Sequence, residues 1–97
     1  IKPYKKSESA YHILALIFKS NELANSFKKK IQGQGIAATF HYVPLHKSKM
    51  GKKFCNYKLP LTEEIYSRVV RLPLYSDMTK QEIKKVYSSI KNFLIKK

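Results

Sequence analysis

The most unusual segment of the chain is FHYVPLH, residues 40–46. It holds two of the three histidines, a tyrosine and a proline. Histidine changes charge near neutral pH and can give or take a proton. Tyrosine carries a hydrogen-bonding hydroxyl on an apolar ring. Strand alternation would put His41 and Val43 on one face, Phe40 and Tyr42 on the other. His46 falls just past the strand end, where α/β proteins often bind ligands. Spacing alone leaves two readings open. Either these groups meet a ligand, or the histidines satisfy internal hydrogen bonds while the tyrosine packs.

Lys47, Lys49, Lys52 and Lys53 follow in the same stretch. They suit either a phosphate-bearing ligand or a solvated loop face. Phe54 and Tyr57 lie among them, as a single-stranded nucleic-acid platform would have it. Other chemistry finds little footing. His41 and His46 lack a third ligand at metal spacing. The GQG at 33–35 sits at a helix end and lacks the rest of a phosphate-loop pattern. With one aspartate, Asp77, a Ser–His–Asp triad is poorly supported, and capping explains that residue. The lone Cys55 cannot close an internal disulfide and fits a reducing cytoplasm.

The elements around these residues read from periodicity. Residues 1–9 are polar, a linker or an incoming strand end, and residues 10–97 are the domain. Residues 11–18 (YHILALIF) predict a strand buried on both faces. Ser20 suits a helix N-cap, with Glu22 in the first turn. Leu23, Phe27 and Ile31 make an apolar stripe, and Gly33 and Gly35 a stop. Residues 36–43 predict a second strand, ended by Pro44. Residues 45–60 read as a long polar loop, the length at which loops tend to be functional. Thr62 would cap a helix over 63–70. Residues 71–75 would form an edge strand because of Pro73. Thr79 and Glu82 form a capping box ahead of a stripe of Ile83, Val86, Tyr87, Ile90, Phe93 and Leu94. The expected fold is α/β, an α+β two-layer sandwich with helices on one face of a small sheet.

The 97 residues suffice for one domain. The first residue is Ile1, and a piece of a longer protein is expected. No apolar run approaches a membrane span. The net charge is +14, and 18 of the 20 cations are lysine. That charge suits an anionic partner. Lysines that are scattered, with only two arginines, argue against base readout. A small basic nucleic-acid-binding domain stands as the alternative reading.

FHYVPLH, then SKMG at 48–51, then LPLTEEIYSRVVRLPLYSDMT at 59–79 resemble the DegT/DnrJ/EryC1/StrS aminotransferases. These are pyridoxal-phosphate enzymes that aminate nucleotide-linked keto-sugars. The likeness runs from residue 10 to about 95 and rests on HYVPLH and RLPL about 30 residues apart. AYHILALI, Gly35-Ile36, and Thr62, Glu63, Tyr66 and Arg68 add to it. It is strongest to the branch that turns dTDP-4-keto-6-deoxyglucose into dTDP-4-amino-4,6-dideoxygalactose. Met50 departs from the pattern, which often has a small residue there.

The resemblance implies the small C-terminal domain of a fold-type-I enzyme. The lysine that bonds pyridoxal phosphate, and the aspartate facing the pyridine nitrogen, would lie upstream in a large domain. This segment would then carry no catalytic, cofactor-binding or metal residue and be inactive alone. It would close one side of the site, with His41, Tyr42 and His46 on the nucleotide sugar and Lys47 on its phosphate. The parent would be a cytoplasmic homodimer that takes its amino group from glutamate and serves polysaccharide synthesis.

Overall fold

The computed structural model describes residues 4–96, so the expectation for residues 1–3 lies outside them. Residues 4–13 carry no helix or strand and are exposed. Strand β1, Leu14–Ile17, pairs antiparallel with β2, Val69–Leu72, with Ala15 opposite Arg71. On its other side β2 meets one residue, Thr39, which exchanges both backbone hydrogen bonds with Arg71 at 3.0 and 2.7 Å. β2 thus has one strand neighbour and a single bridge on its other side, and it spans 69–72 where 71–75 was expected. Pro73 has no N–H to donate, and β2 stops just before it.

Two further strand expectations shrink. The predicted first strand is four residues long and half-exposed, with Ile17 43% accessible, instead of buried on both faces. Its partner is equally short, and a ladder cannot outrun its partner. The predicted second strand over 36–43 is reduced to the bridge at Thr39. In an antiparallel register Phe40 and His41 would face Val70 and Val69, but the bridge ends at Thr39 and Phe40 meets Tyr66 of the following helix instead. The start of the segment is well held: Ile36 and Ala38 are buried, and Gln32 Nε2 donates to the Ala38 carbonyl at 2.7 Å.

Helix α1, Asn21–Gln32, begins where expected: Ser20 Oγ accepts the Leu23 N–H at 3.2 Å. Ala24, Phe27 and Ile31 form its buried face, and Leu23 is half-buried against the core. Gly35 adopts φ +73°, a left-handed conformation that glycine enters without steric cost. It lets the Ile36 N–H return to the Ile31 carbonyl at 3.2 Å.

The expected loop over 45–60 has structure. It contains a 3-10 turn, Leu45–Lys47, and a single-turn helix α2, Gly51–Phe54. Helix α3 spans Pro60–Arg68 rather than 63–70. Pro60, at its first turn, loses nothing by lacking an N–H. Thr62 therefore lies inside the helix and is not its cap. Val69 and Val70, β-branched, pass into β2.

Helix α4, Lys80–Ile95, opens with the expected capping box: Glu82 N–H donates to Thr79 Oγ1, and Thr79 N–H to Glu82 Oε2. Its buried face is narrower than predicted. Val86, Ser89 and Phe93 are buried, whereas Ile83, Tyr87 and Leu94 are exposed.

The core joins α1, β2 and α4. Phe18, Phe27 and Phe93 pack as a trio, with Phe27 centred 4.8 Å from Phe18 and 5.0 Å from Phe93. Ile31, Val70, Leu72 and Val86 close around them. The result is a small α/β domain with a two-stranded sheet. Its radius of gyration is 15.5 Å. A compact domain of this length has about 13 Å. Exposed residues 4–13 and the stretch from 45 to 59 extend it beyond that core.

Candidate functional site

After Thr39 the chain leaves the sheet and builds a wall. Phe40 packs one edge against α3, its ring 6.2 Å from Tyr66 at 80°, and stays half-exposed. Tyr42, Val43, buried Pro44 and Leu45 follow, with His41 at the start. Opposite them stand Leu61, Thr62, Ile65 and Tyr66 of α3. Between the two walls lies an open cleft of about 640 Å³. Its lining is mostly carbon, with a few polar groups, which is the usual make-up of a small-molecule site.

α3 is itself tied to the core. Asn21 Nδ2 donates to the Ser67 carbonyl at 2.6 Å, and the Phe18 N–H to the Arg68 carbonyl at 3.0 Å. The wall that α3 forms is therefore set by α1 and β1. Arg68 spans the same junction, reaching the Lys19 carbonyl at 3.4 Å and Glu64 at 3.2 Å.

The expected site residues take different places. His41 lines the cleft, and its Nδ1 is buried without a hydrogen-bond partner. Buried polar atoms nearly always have one, so this atom calls for an explanation. Tyr42 also lines the cleft and is 74% exposed. Its ring stacks under the Arg71 guanidinium, 5.6 Å from the centroid, and lies 5.1 Å from the His41 ring. The expected alternation is lost here, because consecutive residues 41–45 all line the cleft once the ladder ends.

His46 and Lys47 do not line it. Both are held by Glu63 in the first turn of α3. His46 Nε2 lies 2.9 Å from Glu63 Oε1, and Lys47 Nζ lies 2.7 Å from Oε2. The His46 side chain is only 6% accessible. The Lys47 hydrogen bond, then that of His46, lowers the Glu63 carboxyl from 4.5 to about 2. The carboxylate is the charged partner at any ordinary pH.

Sequence reasoning passed over the roles of three residues. Glu63 was visible as part of the family likeness, but nothing in the spacing tied it to His46, seventeen positions earlier. Arg71 and Tyr66 stood in recognised segments, but nothing in their spacing pointed to Tyr42 or Phe40. Gly51 matters for close packing, since a Cβ there would overlap the Leu45 carbonyl. The neighbouring Met50 is 61% exposed, so its bulk meets no obstacle.

Phe54 and Tyr57 are exposed and lie outside the cleft. Among the described residues no group of three or more His, Cys, Asp or Glu could hold a metal ion. No helix among them is long and apolar enough to cross a membrane. Pyridoxal phosphate needs a lysine for its covalent bond. No cleft-lining residue is a lysine, and Lys47 on the adjoining turn is paired with Glu63. These residues do not fit that cofactor by themselves.

Comparison with known proteins gives the context. An uncharacterized protein of Methanocaldococcus jannaschii is 27% identical over 96 residues, 93% of this chain and 25% of that protein. The dTDP-3-amino-3,6-dideoxy-alpha-D-galactopyranose transaminase of Aneurinibacillus thermoaerophilus is 27% identical over 84 residues, 86% of this chain and 22% of the transaminase. The chain spans about a quarter of the length of these curated relatives. Residues 1–91 match one family, and on that match the chain belongs to the DegT/DnrJ/EryC1/StrS aminotransferase family.

Proposed function

We propose that this chain is the small C-terminal domain of a fold-type-I, pyridoxal-phosphate-dependent aminotransferase acting on a nucleotide-linked keto-sugar. The observation that carries the reading is the cleft. One wall, residues 41–45, lies within HYVPLH, one of the two motifs on which the family likeness rests, and Thr62 and Tyr66 of the other wall add to that likeness. The favoured reaction is amination of dTDP-4-keto-6-deoxyglucose to dTDP-4-amino-4,6-dideoxygalactose. The Aneurinibacillus relative is named for a dTDP-linked 3-amino sugar. That supports the dTDP carrier and the deoxysugar class, and not the position of the amine.

On this reading the cleft binds and orients the sugar nucleotide. His41 lines the cleft, and its buried Nδ1 would meet a sugar hydroxyl, which both donates and accepts, once the ring turns toward the ligand. The Tyr42 ring, fixed by Arg71, offers a flat apolar face. Lys47 is the phosphate contact and His46 supports the turn that carries it. The bound cofactor, held by a part of the enzyme outside this segment, carries the amino group from donor to sugar. The segment alone would have no transaminase activity. Glutamate as donor, a homodimeric parent, a cytoplasmic site and a role in polysaccharide synthesis belong to the same proposal.

Alanine at His41 or Tyr42 in the full-length enzyme tests it. Each should raise KM for the sugar nucleotide and leave the KM for the amino donor unchanged. Unchanged sugar-nucleotide kinetics in both variants would remove these residues from the site.

A further inference from the structure

We infer that Glu63 is the positioning residue of the cleft. Its carboxylate fastens the turn that ends one wall to the helix that forms the other, and so fixes the gap between them. This rests on reading the cleft as the sugar-nucleotide site.

The geometry is direct. The wall at 41–45 runs straight into His46 and Lys47, and Glu63 bonds both, one on each oxygen. Glu63 sits in α3 between cleft residues Thr62 and Ile65 but does not line the cleft. It acts through its partners and not on a ligand. Other ties across the gap are few. After Thr39 the first wall has no ladder, and among the described residues no backbone hydrogen bond joins 40–48 to α3. The 3-10 turn has no side-chain cap. The carboxylate is thus the main polar link, with Phe40 on Tyr66 as an apolar one. A neutral amide at this position keeps the shape and one acceptor but loses the charge that Lys47 and the His46 ring face.

The test uses the full-length protein with Glu63→Gln and Glu63→Ala. Amide exchange is followed at residues 41–48 and at α3, and sugar-nucleotide kinetics are measured alongside. Exchange at 41–48 should quicken in both variants, more in Glu63→Ala, while the core stays protected. KM should rise roughly tenfold in Glu63→Ala with kcat within about twofold, the split expected when ground-state binding is lost. A merely structural role would lower the active fraction, and with it kcat, at unchanged KM. Unchanged exchange at 41–48 would overturn the inference, as would unchanged KM in both variants. If the wild type aminates no sugar nucleotide, the functional reading fails instead. The exchange result then still decides whether Glu63 fixes the gap.

Discussion

Lys47 Nζ lies 2.7 Å from Glu63 Oε2, so the lysine offered by the sequence as a phosphate contact is already held by a carboxylate. An incoming phosphate must share Lys47 with Glu63 or displace it. The Lys47 side chain is 45% accessible, so it remains open to solvent. His46, beside it, is buried and turned to the same carboxylate.

The pH dependence of this link has a definite sign. The Glu63 carboxyl is lowered from 4.5 to about 2, by Lys47 first and His46 second. A group lowered on folding contributes stability that is fully present above its unfolded value and is lost as pH falls through its folded value. The Glu63 share of the stability gap between wild type and Glu63→Gln should therefore be fully present above pH about 5 and close between 4.5 and about 2. Urea midpoints at pH 7, 4 and 3 measure it. A gap already gone at pH 4 would contradict the pairing.

Gly51 gives a second prediction. A Cβ there would overlap the Leu45 carbonyl and stand 3.0 Å from Ser48 Oγ, so Gly51→Ala must move backbone. The Ser48 Oγ bond to the Gly51 N–H, 2.9 Å, should break with it. Amide exchange should rise at residues 45–54 while α1 and α4 keep their protection. Equal protection throughout would mean that the turn and α2 are not packed as described.

Phe27 is fully buried between two other rings. Phe27→Ala should cost about 3–5 kcal/mol, as large-to-small core changes do. Small domains hold only about 5–15 kcal/mol in all, so the urea midpoint should fall steeply. A loss under about 1 kcal/mol would place the core elsewhere.

The isolated chain exposes much apolar surface, including Tyr42 and Leu45 on the cleft rim and Leu61, 70% accessible, on α3. Surface of this kind marks an interaction site. The isolated chain should self-associate or aggregate as concentration rises, followed by light scattering. A monodisperse monomer at high concentration would speak against a covered face in the parent.

What could be read from the sequence was local. Ser20, Thr79 and Glu82 acted as caps where their types and spacing placed them, because capping depends on three or four neighbouring residues. The α1 stripe lay where its spacing put it. Strand lengths were not legible, because a ladder ends with its partner. Thr39 is the last residue of its segment to pair with β2. The α4 stripe is only partly covered, because Ile83, Tyr87 and Leu94 find no layer above them among the described residues. In the site, FHYVPLH marked one wall by composition. The other wall, and the Glu63 link between the two, depend on tertiary contact that no periodicity encodes.

The most direct measurement is made on the full-length enzyme beside this 97-residue chain. Pyridoxal phosphate is added and its protein-bound visible absorbance recorded. A dTDP-4-keto-6-deoxy sugar and glutamate follow, and the amino sugar is assayed. The account predicts that the full-length protein binds the cofactor and aminates the sugar, while this chain alone does neither. A full-length protein that neither binds the cofactor nor turns over the sugar would contradict it.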